Sequence, residues 1–264
     1  MTDPAGTPSH LRITQRSHHV TNQKVIELVA TGGWSRQRIL DVGAGEGYLV
    51  SRLGALLQER FSVAPATVLR ACDTHPEVYK YTPVPCDRID AGGALPYEVE
   101  FFEVVTCVEV IEHLEDQFHL AREICRILKP GGRALITTPN VLNINSRLRT
   151  LHSGFATLFD LLPLHRSDSV HLAGHIHPIS FYYLAHLFRR AGFREVRAHF
   201  DFSKRSAVLF ALLLYLPIQV WHLGFRHHMK SKHGAIYPEN QPLLEPINSW
   251  GMLTSRSVIA EAVK

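Results

Sequence analysis

The 264-residue sequence predicts an open, mostly parallel α/β sheet in a single elaborated domain. Three observations carry that prediction. Short apolar runs of strand length alternate with amphipathic runs of helix length through the first half of the chain, which implies parallel crossovers. The run Arg38-Ile39-Leu40 leads directly into a glycine-rich turn, Asp41-Val42-Gly43-Ala44-Gly45-Glu46-Gly47, with a helical segment behind it. Acids then recur where strands end, at Asp41, Asp73 and Asp90, on the edge where an open parallel sheet binds its ligand.

Each element follows from its local pattern. A loose polar arm is expected over residues 1–19, rich in Pro, Gly and Thr and without an apolar signal core. The domain then spans 20–264. A helix from about Val20 to Thr31 sets Val25, Ile26, Leu28 and Val29 on one side and stops at Gly32-Gly33. After the first strand and its turn, a helix from about Tyr48 to Arg60 points its unpaired N–H groups at the glycines. Strands are expected at Thr67 to Asp73, Val84 to Ile89, Phe101 to Val108 and Ala134 to Thr138. The helix Gln117 to Leu128 is ended by Lys129-Pro130-Gly131-Gly132. Beyond Asn140 the pattern is irregular until a helix from Ser180 to Ala191, closed by Gly192. Phe193 to Phe202 and Arg256 to Val263 read as the last two strands. Two insertions stand out, one at about 140–177 and one at about 203–249.

Composition narrows the function. The formal charge of +4 is small and its Lys and Arg are scattered, with no basic stripe or aromatic platform for nucleic acid. The four cysteines (Cys72, Cys86, Cys107, Cys125) form no C-x-x-C pair and read as reduced thiols of a cytoplasmic protein.

The glycine turn carries the chemistry. Gly43, Gly45 and Gly47 at alternate positions let the backbone turn tightly and leave no side chain between it and a ligand. The G-x-G-x-G spacing differs from the G-x-G-x-x-G of dinucleotide dehydrogenases. Carboxylates around the cleft suit a cofactor with ribose hydroxyls, an amine and a cationic sulfonium. Asp73 is placed for the ribose, Asp90 and Ala91 for adenine, and Glu109 ends the fourth strand. Taken one at a time, the same acids also serve as helix caps or solvated turn residues.

The ordered segments Ile39-Leu40-Asp41-Val42-Gly43-Ala44-Gly45-Glu46-Gly47, Cys107-Val108-Glu109-Val110-Ile111-Glu112-His113-Leu114 and Arg126-Ile127-Leu128-Lys129-Pro130-Gly131-Gly132 resemble the successive motifs of class I S-adenosylmethionine (SAM) methyltransferases. In style the chain is similar to ubiquinone-biosynthesis O-methyltransferases and to methyltransferases of glycan clusters. The resemblance implies a Rossmann-like seven-stranded sheet of order 3-2-1-4-5-7-6, with the last strand antiparallel and helices on both faces. It also implies SAM as cofactor and methylation, on oxygen, of a small or lipid-linked acceptor such as a quinone precursor or lipid-carried glycan. The sequence departs from the family in the long interval between Gly47 and Asp73, and in Glu103, where an Asp is usual.

Two histidines are candidate catalytic groups. His113 follows the fourth strand, in a loop where the resemblance implies an active-site acid–His pair; packing or capping of the loop is the alternative. In Asp168-Ser169-Val170-His171-Leu172-Ala173-Gly174-His175-Ile176-His177-Pro178, the spacing of His171, His175 and His177 invites a zinc reading. Gly and Pro break that segment and no cysteine is near, so no metal is expected. Gly174-His175 instead resembles a substrate-pocket Gly-His of the family, with a plain loop histidine as the alternative. The non-catalytic alternative is a scaffold protein that keeps the SAM fold; the retained turn, acids and His113 count against it.

Ala207 to Phe225 is an uncharged, Leu-rich run interrupted by Pro217 and followed by Arg226-His227-His228-Met229-Lys230-Ser231-Lys232-His233. Its length approaches a membrane span, yet it lies between the last two strands of one sheet, which excludes a single crossing. The open readings are a helical hairpin or amphipathic patch dipping into a bilayer through 207–232, a lid over an apolar acceptor, a homodimer interface, and a buried helix pair. The expected location is cytoplasmic, with peripheral contact at the inner face of the membrane under the first reading.

Overall fold

Ile39–Val42 (β1) is buried on both faces, as a central parallel strand must be, and it is flanked by Leu69–Asp73 (β2) and Phe102–Val108 (β4). The computed structural model describes residues 13–31, 34–162 and 174–264. Cys86–Arg88 (β3), Leu128–Pro139 (β5), Glu195–Phe200 (β6) and Ser257–Val263 (β7) complete a seven-stranded sheet of order β3-β2-β1-β4-β5-β7-β6. β7 runs antiparallel to both β5 and β6, and the other pairings are parallel. This is the expected order. Because β6 is therefore parallel to β1, it ends at Phe200 on the same edge as the glycine turn.

Alternation along the strands divides the interior into two cores. Leu40, Val105 and Ile136 point to one face, under Gln117–Ile127 (α4) and Phe181–Ala191 (α6). Ile39, Val104 and Leu135 point to the other, under His19–Val29 (α1) and Tyr48–Phe61 (α2). Helix ends are set by local chemistry. Asp116 caps α4 by accepting from the His119 amide at 2.8 Å. Gly192, at φ +112°, closes α6 in a conformation that disfavours a side chain.

Several boundaries differ from expectation. The strand predicted from Thr67 begins at Leu69, because Pro65–Val68 (α3) forms a helical turn with Pro65 at its first position. The sixth strand is trimmed to Glu195–Phe200. Residues 1–12 of the predicted arm, the Gly32-Gly33 stop, and Asp168 and His171 lie outside the described residues. The described end of the arm is tied down: the Thr14 amide donates to Glu46 at 2.7 Å, and the His18 ring stacks on Phe202 at 4.5 Å.

The largest departure is in the second insertion. Arg205–Lys232 (α7) is one continuous 28-residue helix with Pro217 inside it, not a hairpin. The buried-pair reading is also overturned, since only Ala207 and Ala211 of this helix are buried. Ile144–Ser153 (α5), the turn Glu245–Asn248 and Trp250–Thr254 (α9) pack along it, and Tyr237–Leu244 (α8) leads back toward the sheet.

Candidate active site

The carboxyl edge of the sheet gathers most of the expected residues. The turn after β1 is fastened to β2, with the Gly43 and Ala44 amides donating to the Cys72 carbonyl at 2.8 and 3.2 Å. Gly43, Gly45 and Gly47 all have positive φ (73°, 54° and 87°), and Gly47 forms the N-cap of α2. A Cβ on Gly43 would strike Val110 at 2.4 Å, and one on Gly47 would strike Tyr79 at 2.6 Å. A Cβ on Gly45 meets nothing within 4 Å. The turn is thus walled on two sides and open at its middle glycine, which is the shape a backbone-hugging cofactor needs. A SAM molecule fits this cradle.

Asp73 sits at the end of β2 despite the long interval before it. Its carboxylate accepts from the Gly45 amide at 2.8 Å and the His75 amide at 2.8 Å, so it borders the open glycine and keeps acceptor capacity for a ribose diol. Asp90 and Ala91 lie exposed in the loop after β3. That loop is drawn to β2 by the Ile89 amide, which donates to the Asp73 carbonyl at 3.1 Å.

Asp41 is placed differently from the sequence reading. It lies inside β1 rather than at its end, is 5% exposed, and accepts from the Thr106 hydroxyl at 2.7 Å. Burial, opposed in part by that hydrogen bond and supported by the nearby Asp73 charge, pushes its carboxyl up to about 7. Glu109 follows β4 as expected, but its carboxylate faces Thr137 at 3.2 Å and Arg256 at 3.6 Å. Burial raises its pKa against the pull of Arg256. Its role in this geometry is to tie the β4 loop to the neighbouring strands, and Glu109 itself has φ +55°.

His113 ends the single helical turn Ile111–His113 and lies against His175, the ring centroids 4.8 Å apart. The two come from segments far apart in sequence, joined by a clamp. The Ile176 and His177 amides both donate to the Glu112 carbonyl at 3.0 Å, and His177 Nδ1 lies 2.6 Å from the Leu114 carbonyl. His113 Nδ1 is 2.7 Å from the Gly174 carbonyl, and His175 Nδ1 is 2.8 Å from the Leu158 carbonyl. A carbonyl oxygen can only accept, so each Nδ1 carries the proton and each Nε2 of the neutral ring is left as an acceptor. Burial, with the neighbouring His113, lowers the His175 pKa below the ordinary 6.5.

Beneath the pair, Glu112 is fully buried, neither of its carboxylate oxygens has a hydrogen-bond partner, and burial raises its pKa far above the usual range. Glu112, His113 and His175 bring a ligand atom each within 4.8 Å of one another, close enough to hold a cation. This is not the histidine trio weighed in the sequence: His177 is turned to Leu114, and His171 lies outside the described residues.

Several site residues carried no signal in the sequence. Tyr79, which packs over Gly47, and Arg256, which reaches Glu109 from the start of β7, arrive through non-local folding. Val110 was inside a motif, but its contact with Gly43, which joins the β4 loop to the glycine turn, shows only in three dimensions.

A family model described as "Methyltransferase domain" matches residues 17–198. Curated relatives include the ubiquinone biosynthesis O-methyltransferase of Xanthomonas euvesicatoria pv. vesicatoria (strain 85-10), 30% identical over 48% of this chain and 53% of that one. The enzyme of the same name from Shewanella sp. (strain ANA-3) is 31% identical over 52% of this chain and 57% of that one. The chain thus spans a little over half the length of these relatives. Among solved structures, a SAM-dependent methyltransferase of Archaeoglobus fulgidus superposes with a TM-score of 0.55 at 14% identity, covering 94% of this chain and 95% of that one. One from Thermotoga maritima, described as a possible histamine N-methyltransferase, superposes with a TM-score of 0.51 at 14% identity, covering 93% and 88%. At such identities the superpositions speak for the fold alone. The matched domain, the sheet order and the glycine turn agree: the chain belongs to the methyltransferase-domain family and has the fold of the SAM-dependent enzymes.

Proposed function

We propose that the protein transfers the methyl group of SAM to a hydroxyl oxygen of a small or lipid-linked acceptor, of the quinone-precursor or lipid-carried glycan type. The observation that carries the reading is the pairing of an open glycine cradle with two histidines whose Nε2 atoms are free to accept a proton. The oxygen specificity and the quinone-precursor type of acceptor are supported by the names of the curated relatives. When bound, SAM would supply a methyl on a sulfonium already activated for transfer, with the methyl–sulfur bond the one broken and the neutral demethylated thioether the leaving group.

The chain's residues then have two tasks. The Gly43–Gly47 turn and Asp73 hold and orient the cofactor, so that much of the rate comes from alignment. His113 or His175 accepts the acceptor's hydroxyl proton on Nε2 as that oxygen bonds to carbon. Burial, with the neighbouring His113, lowers the His175 pKa and so favours the neutral ring, the form that can accept a proton. Release of that proton to solvent resets the ring. The scaffold alternative requires no proton acceptor at this edge, and the oriented histidine pair disfavours it.

The test is transfer from radiolabelled SAM to a panel of phenolic and lipid-linked hydroxyl acceptors, with the product identified by mass spectrometry. The expected product is a methyl ether. Label on nitrogen or carbon overturns the oxygen assignment, and SAM binding without transfer to any acceptor in a lipid extract favours the scaffold.

A further inference from the structure

Helix α7 is amphipathic the wrong way round for a surface element in water. Its inward stripe is small or polar. Ala207 and Ala211 are buried, Tyr215 meets the Trp250 ring edge-on at 5.8 Å, and Gln219 donates to the Asn248 carbonyl at 2.8 Å. Its outward face carries Leu212, Leu213, Leu216, Val220 and Trp221, each between 68% and 81% exposed. An open hollow of about 550 Å³ on this face is lined by Val220, Trp221, Gly224, Phe225 and His228. The mean hydropathy of its most apolar stretch is 1.8, and only 6% of that stretch is buried. A contiguous apolar face of this kind needs a cover.

The helix is long enough to cross a bilayer, about 42 Å at 1.5 Å per residue. Its attachments forbid crossing. Near its start Asn145 donates to the Ser206 hydroxyl at 2.7 Å, and near its end Arg226 Nε reaches the Tyr237 hydroxyl at 3.2 Å. Tyr237 belongs to α8, whose Asn240 accepts from Tyr182 of α6 at 2.9 Å. Both ends and the middle of α7 are therefore held along the body of the domain, and only one side of the helix is available.

Charge selects the cover. From Arg205 to Lys232 there is no Asp or Glu, while Arg226, Lys230 and Lys232, with His227 and His228 beside them, crowd the last two turns. A second copy laid on this face through the same helix would bring no carboxylate on that helix to meet these cations. Anionic lipid headgroups do meet them, and Trp221 suits the interfacial layer.

We propose that α7 lies in the plane of a bilayer rich in anionic lipid, its Leu212–Trp221 face among the upper acyl chains and its last two turns among the headgroups. The docking itself stands on geometry and charge. Its consequence for catalysis rests on the proposed function: α7 starts just after β6, on the same sheet edge as the glycine turn and His113, so docking brings the site to a lipid-borne acceptor.

Flotation of the full chain tests this with vesicles of phosphatidylcholine alone and of phosphatidylcholine with phosphatidylglycerol. The expected result is flotation with the anionic vesicles, weakened by salt, with a blue shift of tryptophan emission that the Trp221→Leu variant lacks. Two variants, Leu213→Glu with Leu216→Glu, and Lys230→Glu with Lys232→Glu, are each expected to lose about tenfold or more in vesicle binding. Both should keep parental SAM affinity by calorimetry, which shows that they fold. A wild-type chain that stays unbound to both vesicle types overturns the proposal, as does a concentration-dependent dimer that the Leu213→Glu and Leu216→Glu changes abolish. Failure of methyl transfer in every assay leaves the flotation result intact, so the two readings fail separately.

Discussion

Asp73 is the residue on which sequence and structure meet most closely. Its carboxylate borders the open Gly45 position and binds that residue's amide at 2.8 Å. Asp73→Ala is expected to weaken SAM binding by about 1–3 kcal/mol, the range for losing a hydrogen bond to a charged group; an unchanged affinity in calorimetry assigns the ribose to another acid. The histidines make a kinetic prediction. Ala at His113 or at His175 should leave SAM affinity alone and lower kcat by about 10²–10⁴-fold at whichever acts as the base. Near-parental turnover in both variants shows alignment alone to be sufficient. Asp41 makes a prediction about pH. Its folded-state pKa, about 7, lies above the unfolded value, so its contribution to stability is complete below about pH 4 and is lost as pH rises through 7. Asp41→Asn can still accept from Thr106 but cannot ionise. Denaturant titrations should show a shallower loss of stability between about pH 5 and 8 in this variant than in the parent; identical slopes place the titration elsewhere. Glycines and strand-end acids were readable in the sequence because they answer to local backbone needs. Arg256 and Tyr79 were not, because what they touch is decided by strand pairing and by the path of the chain after β2.

At the scale of elements, strands and the helices that punctuate them were legible wherever period and stop signals agreed. α4 has an acid cap and its ends fall within a residue of the sequence reading, although Pro130-Gly131-Gly132, read as its stop, lies inside β5, which begins at Leu128. Errors arose where one signal was given too much weight. Pro217 suggested a hairpin, yet the helix runs through it, since tertiary contacts on both sides outweigh the lost hydrogen bond and the intrinsic cost of about 3 kcal/mol. Pro217→Ala is therefore expected to raise thermal stability and leave SAM affinity unchanged. A fall in stability would mean that the chain needs a break at that point. The clamp of residues 174–177 onto the Ile111–His113 turn was invisible for a different reason: it uses backbone amides, which any sequence supplies.

At the scale of the whole molecule, the order β3-β2-β1-β4-β5-β7-β6 places most of the candidate groups on one edge. The insertion of antiparallel β7 between β5 and β6 delivers Arg256 to Glu109, and it starts α7 from that same edge. A pattern of strands and helices alone implies an open parallel sheet; the position of β7 came only from the family resemblance. The central claim is that this edge is a SAM site built on an open glycine turn. Titration of SAM into the parent and into Gly45→Val, followed by calorimetry, tests it most directly, with circular dichroism to confirm the fold. Gly45 has φ +54° and open space above it, so a valine there strains the turn and fills the cofactor's approach. One-to-one binding by the parent and none by the folded variant is the predicted result; equal binding by both, or none by the parent, contradicts the account.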